Sequence, residues 1–259
     1  TKILNNLKKD KVFYKYKKDI FSYIDLNIFL RKYVFFLERL SKKKNNKVCI
    51  IADKSFTFYA SIVCTLLCNN TWIPLSSSLP KDRIKKIIKS VEPDIVIYDK
   101  NNSTKLDFLL KKASNILLVP LESFDKLNEA KVSKRIISHK AEDISMIYFT
   151  SGSTGEPKGV PIKNKNFLPC FYSQYNQFYQ NKKKLVFADF HDNSFVISLV
   201  ILLPCIYCGA TIVPAIDSKD FFMPLSYINN NSINVLITVP SFINQIKNNN
   251  IDKTKSVKL

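Results

Sequence analysis

Ten consecutive residues near the middle of the chain, from Thr150 to Gly159, combine hydroxyl side chains, glycines and a lysine. The residues of these three types are Thr150, Ser151, Gly152, Ser153, Thr154, Gly155, Lys158 and Gly159. Backbone N–H groups and hydroxyls in such a loop can point inward and form a concave anion site. A lysine can reach a phosphate as a point charge. The segment therefore predicts a site for a triphosphate.

The glycine content supports this interpretation. The chain has 4 glycines, whereas an average usage of roughly 7% would give about eighteen. Three of the 4 lie in this segment, and glycine is retained where the backbone needs positive φ or a close approach. The spacing excludes the P-loop pattern G-x-x-x-x-G-K-[ST], because Pro157 or Val160 stands where its second glycine is required. The dinucleotide-binding pattern G-x-G-x-x-G is also absent from the segment.

The segment resembles the phosphate-loop signature of the adenylate-forming superfamily. That superfamily includes acyl-CoA synthetases, nonribosomal peptide synthetase adenylation domains and D-alanine–carrier protein ligases. Further segments are similar to elements of the same superfamily: 21–26, 48–68, 72–84, 187–194, 208–213 and 234–241. Two departures stand out, since Asn69 and Asn70 replace a usual glycine and Ser76 replaces a usual aspartate.

The resemblance implies a two-step reaction that uses ATP and Mg²⁺. A carboxylate attacks the α-phosphate and expels pyrophosphate, and the resulting acyl-adenylate is transferred to the thiol of CoA or of carrier-protein phosphopantetheine. Lys158 is the implied catalytic residue, and the hydroxyls and glycines of the loop are the implied nucleotide ligands. No protein ligand of a metal is predicted.

The substrate is expected to be a carboxylic acid, with an amino acid favoured. In the amino-acid-activating branch, an aspartate holds the substrate ammonium, and Asp192 matches that position. A competing alignment places His191 where acyl-CoA synthetases often have an aromatic or histidine gate, which would indicate a fatty-acid or other acyl-CoA or acyl-AMP ligase. Alternatively, Asp192 caps a helix that begins near Ser194.

These residues must be positioned by an α/β fold, because short apolar runs alternate with helical stretches. The predicted strands are 48–51, 72–75, 94–98, 116–119, 146–149, 185–188, 211–213 and 235–239. The predicted helices are 23–43, 55–68, 81–90, 164–180, 194–207 and 241–248. The strands are nearly continuously apolar, which favours layered, mainly parallel sheets flanked by helices.

Residues 1–259 are interpreted as a truncated N-terminal adenylation domain, with a sub-lobe seam near 131–143. Superfamily members are about twice as long, and their adenine-stacking, ribose-binding and C-terminal elements have no counterpart in this sequence. We therefore expect the chain to be inactive by itself. An interpretation of another class is a nucleotide- or partner-binding module without turnover.

The formal net charge is +19, but lysines and asparagines are spread along the whole chain, as an AT-rich genome would produce. A nucleic-acid partner is not predicted, because only 11–18 interleaves basic and aromatic residues. A membrane span is not predicted either, since prolines and a glycine divide the uncharged stretch 195–216 into a helix and a short strand. The 6 cysteines are expected to be buried and reduced, in the cytoplasm.

Overall fold

The computed structural model describes residues 2–41, 43–110, 115–126, 139–151 and 156–247. Its strands are β1 (Val12–Tyr16), β2 (Asp19–Ser22), β3 (Lys47–Ile51), β4 (Thr71–Leu75), β5 (Ile95–Tyr98), β6 (Leu117–Pro120), β7 (Ile144–Ser151), β8 (Pro157–Lys163), β9 (Val186–Asp189) and β10 (Thr211–Pro214). Its α-helices are α1 (Lys2–Asn6), α2 (Tyr23–Leu40), α3 (Phe56–Leu67), α4 (Lys81–Val91), α5 (Asp107–Leu110), α6 (Asn164–Gln174), α7 (Ile197–Cys208), α8 (Ser218–Phe222), α9 (Pro224–Asn230) and α10 (Pro240–Lys247). Short 3-10 helices cover Lys100–Leu106 and Leu121–Ser123, and a π-helix covers Tyr175–Tyr179.

The chain divides into two compact units. The first contains Thr1–Asn27 and Cys170–Leu259, and the second contains Ile28–Pro169. Of the seam predicted near 131–143, residues 131–138 lie outside the described residues, and the seam stays a prediction.

The second unit is built on a six-stranded sheet in the order β6-β5-β3-β4-β7-β8. All neighbouring strands run parallel except β7 and β8, which form an antiparallel hairpin at the edge. Every residue of β4 is buried, as expected of a strand covered on both faces.

One face of this sheet is covered by α4, which inserts Ile84, Ile87 and Ile88 into a cluster with side chains of β3 and β4. Full burial of each such side chain contributes about 1.5–3 kcal/mol, so the position of α4 on the sheet is firmly fixed. Elsewhere in the same unit, the Tyr33 hydroxyl of α2 lies 2.7 Å from the Thr65 hydroxyl of α3.

The first unit contains a four-stranded sheet in the order β2-β1-β10-β9. The β1–β2 pair is an antiparallel hairpin, whereas β1, β10 and β9 run parallel. Tyr23 at the start of α2 is fully buried and donates a hydrogen bond of 2.8 Å to the Ala210 carbonyl. Gly209 ends α7 in the left-handed conformation, with φ of 65°, which glycine adopts without steric cost.

The predicted α/β class with mainly parallel sheets is confirmed, and most predicted strands lie within a residue or two of those observed. The strand predicted at 235–239 is wrong, since Val235 makes a single bridge to Phe187. The Asn234 side chain takes over the neighbouring ladder positions: its Oδ1 accepts from the Val186 N–H at 2.8 Å, and its Nδ2 donates to the Lys184 carbonyl at 3.0 Å.

Both departures noted in the sequence have a structural explanation. Asn69 has a φ of 53°, so it occupies the left-handed region that the usual glycine would favour. Asparagine tolerates this region better than most residues do. The Ser76 hydroxyl accepts a hydrogen bond of 3.1 Å from the Ser78 N–H, which is the turn contact that an aspartate at this position could also make.

Candidate functional site

The β7–β8 hairpin carries the predicted phosphate loop at its end. Thr150 lies opposite Lys158, and Ser151 lies opposite Pro157, so both strands reach the edge of the loop. Residues 152–155 lie outside the described residues, and so does the side chain of Ser151. The phosphate contacts predicted for Ser151, Gly152, Ser153, Thr154 and Gly155 therefore stay predictions.

Thr150 and Lys158 project from the same face of the hairpin, because directly opposite residues of an antiparallel pair have side chains about 4.5–5.5 Å apart on one side. Both residues are exposed. The Lys158 ammonium makes no hydrogen bond or ion pair with any residue in the described part of the chain. A hydroxyl residue and a lysine without an ionic partner among the described residues thus lie side by side at the base of the loop.

Packing holds this hairpin against the rest of its unit. Ile147 and Phe149 lie against the core formed by β3, β4 and α4. On the other face, the Tyr148 ring meets the buried Trp72 edge-on, with centroids 5.9 Å apart. Because the two faces are anchored independently, the ends of β7 and β8 are presented on a rigid support.

Gly159 has a packing role in the hairpin. A Cβ at this position would lie 3.1 Å from Ile147 Cγ2 and 3.2 Å from Phe149 Cζ. Both side chains contact the core, so they have little room to move away. The missing side chain of Gly159 thus leaves room for those of Ile147 and Phe149. Its predicted contact with the nucleotide stays a prediction.

At the other side of the loop, Glu156 is held by α4. Its Oε1 lies 2.7 Å from the Nζ of Lys86. Lys86 was not identifiable from the sequence, since it lies 70 positions before Glu156.

The predicted substrate segment lies in the first unit, between β9 and α7. The Asp189 Oδ1 accepts from the His191 N–H at 3.1 Å. The Asp192 Oδ1 accepts from the N–H and the hydroxyl of Ser194 at 2.8 and 2.6 Å. Asp189 and Asp192 therefore each hold the backbone N–H of the residue two positions further along the chain. The helix α7 begins at Ile197, and its N-cap Val196 has no side-chain cap, so Asp192 does not cap this helix.

His191 is fixed through its ring as well as through its backbone. Its Nε2 lies 3.1 Å from the Thr238 hydroxyl, and its ring centroid lies 6.5 Å from that of Phe242. Both His191 and Asp192 are half-buried. Sequence analysis missed Thr238, although its position just before the Val-Pro-Ser turn was a usable signal. It also missed Asp189, an acidic residue at the end of an apolar strand.

The described residues support neither a metal site nor a reactive thiol at the Cys205 and Cys208 pair. No group of 3 or more His, Cys, Asp or Glu side chains among the described residues could hold a metal ion. Burial raises the pKa of the Cys205 thiol well above its usual range and that of Cys208 to about 11, so both thiols are protonated at neutral pH. The burial predicted for all cysteines is wrong for Cys170, which is exposed, and for Cys208, which is half-buried.

The uncharged stretch 195–216 forms α7 and β10, as predicted. None of the helices in the described ranges is long and apolar enough to cross a membrane.

In the basic segment 11–18, Phe13, Tyr14 and Tyr16 are 0%, 2% and 8% exposed, so their rings are not accessible for stacking on bases.

A comparison with protein-family profiles matches residues 4–259 to the AMP-binding enzymes. The chain belongs to the AMP-binding enzyme family. The resemblance identified from the phosphate-loop segment is therefore confirmed.

Among curated members of this AMP-binding family, the D-alanine–D-alanyl carrier protein ligase of Listeria welshimeri is 26% identical over 216 residues. The match covers 80% of this chain and 41% of that ligase. The chain thus spans less than half the length of this relative.

Solved structures show the same fold. A putative long-chain-fatty-acid CoA ligase from Rhodopseudomonas palustris has a TM-score of 0.83 at 15% identity, covering 99% of this chain and 67% of that one. The Vibrio cholerae adenylation domain AlmE, in complex with glycyl-adenosine-5'-phosphate, has a TM-score of 0.83 at 17% identity, covering 99% and 52%.

Proposed function

We propose that the protein containing this AMP-binding chain activates a carboxylic acid, with an amino acid favoured over a fatty acid, by forming an acyl-adenylate from ATP. The observation that carries the proposal is the β7–β8 hairpin, which presents Thr150 and Lys158 on one face at the base of the hydroxyl- and glycine-rich loop.

In the adenylation step, the bond between the α-phosphate and the β-phosphate breaks, and negative charge develops on the departing pyrophosphate. Donors that are already in position stabilise such charge at little reorganisation cost. We assign this role to the Lys158 ammonium, the Thr150 hydroxyl and the loop groups from Ser151 to Gly155. Mg²⁺ is expected to enter bound to ATP, since the described residues offer no cluster of ligands for it.

The preference for an amino acid has two supports. The curated relative from Listeria welshimeri is named for D-alanine, and Asp192 offers a carboxylate that suits a substrate ammonium group. The fold itself does not discriminate, because the fatty-acid CoA ligase and the glycyl-adenylate complex have the same TM-score of 0.83. A fatty-acid or other acyl ligase therefore remains the second candidate, favoured by the half-buried His191 at the predicted gate position.

The thiol acceptor is proposed to be carrier-protein phosphopantetheine or CoA, and the location is proposed to be the cytoplasm. A carrier protein is favoured by the name of the Listeria relative. The excess of positive charge, +19, would favour encounter with an acidic partner.

The test is ATP–pyrophosphate exchange by the complete gene product against a panel of amino acids and fatty acids. We expect exchange that depends on one or a few amino acids. Exchange with fatty acids alone would contradict the substrate class, and exchange with no carboxylic acid would favour a binding module without turnover.

A further inference from the structure

The ion pair between Lys86 and Glu156 joins the proposed phosphate loop to α4. Glu156 follows Gly155 directly, and its Oε1 lies 2.7 Å from the Lys86 Nζ. Pro157, the next residue, is buried and pairs with Ser151. The downstream end of the loop is therefore held at two adjacent positions, by a side-chain contact to a helix and by a buried proline.

Lys86 lies on α4, a helix that is packed firmly against the six-stranded sheet. Ile84, Ile87 and Ile88 of α4 are buried against the sheet, while Lys85 and Lys86 are exposed. The Lys86 and Glu156 side chains are 51% and 63% exposed, so the pair is weak as a contribution to stability. Its position next to the loop points to a different role.

A carboxylate beside a polyphosphate site opposes binding of the polyphosphate. In water, two like unit charges about 8 Å apart change an affinity by roughly two- to threefold. A polyphosphate carries several such charges, so an unpaired Glu156 would weaken ATP binding by roughly fivefold. A cation in contact with Glu156 cancels this repulsion.

We propose that Lys86 is a positioning residue of the nucleotide site: it neutralises the Glu156 carboxylate at the downstream end of the phosphate loop. The inference rests on the proposed function, because it requires ATP to bind at this loop. Lys86 acts through Glu156 and does not contact the nucleotide itself.

The experiment measures the KM for ATP and kcat in pyrophosphate exchange by the complete gene product. We compare Lys86→Ala, Glu156→Gln, the double variant and a matched control, Lys85→Ala, which removes the same charge from the adjacent exposed position of α4. Lys86→Ala is expected to raise the KM for ATP roughly fivefold and to change kcat by less than about twofold. Glu156→Gln is expected to lower the KM for ATP, because Lys86 then faces the polyphosphate without a counter-charge. The double variant removes both charges and is expected to have a KM within about twofold of that of the wild type.

Each other outcome has a definite consequence. An equal KM for Lys86→Ala and Lys85→Ala would overturn the inference while leaving the proposed function intact. A raised KM in the double variant would also overturn it, because Lys86 would then act on the nucleotide directly. Absence of exchange in the wild type would overturn both the proposed function and this inference.

Discussion

Replacing Lys158 by alanine in the complete gene product is expected to lower the rate of ATP–pyrophosphate exchange by about 100-fold or more. Removal of one donor that stabilises developing charge typically has an effect of this size. Lys158 is exposed on an edge strand and contacts no other charged group in the described ranges, so the variant should unfold at the same denaturant concentration as the wild type.

The control for this variant is Lys89→Ala, which removes an exposed lysine from α4. Its exchange rate should stay within about twofold of the wild type, as surface charges away from a site have small effects. If Lys158→Ala and Lys89→Ala exchange equally fast, Lys158 has no part in adenylation.

Replacing Asp192 by asparagine is expected to reduce kcat/KM for an amino acid by about 100-fold. Loss of a charge-assisted contact to a buried ammonium has this magnitude. Asparagine keeps an Oδ1 that can accept from the Ser194 N–H, the 2.8 Å contact of Asp192. The turn should therefore persist, and the change should act through the lost charge.

The matched comparison uses a carboxylic acid of similar shape without an α-amino group. Its kcat/KM should change by less than about threefold in Asp192→Asn. If instead Asp192→Asn is neutral for all substrates and His191→Ala impairs them, the gate alignment is correct and the substrate ammonium is not held by Asp192.

Much of the six-stranded sheet was predictable, because its buried strands are continuous apolar runs. The edge strand β8 was not, since Pro157, Gly159 and Pro161 are residues that usually interrupt strands. Proline is tolerated here because β8 is the last strand of the sheet and pairs on one side alone. Gly159 fits since Ile147 and Phe149 occupy the space of its missing side chain.

The candidate site was predictable where the chemistry is local in sequence. The loop from Thr150 to Gly159 is one continuous segment, and its residue types indicate an anion site. Lys86 and Thr238 were missed because their partners, Glu156 and His191, lie 70 and 47 residues away. A lysine on a helix surface and a threonine near a turn have many possible roles, and the fold determines which role each one has.

The central claim is that the end of the β7–β8 hairpin binds the phosphates of ATP. The most direct measurement is a crystal structure of the complete gene product with Mg²⁺ and a non-hydrolysable ATP analogue. We expect the phosphates to lie within hydrogen-bonding distance of the Lys158 ammonium and the Thr150 hydroxyl. A triphosphate bound elsewhere, with Lys158 and Thr150 facing solvent, would contradict the claim.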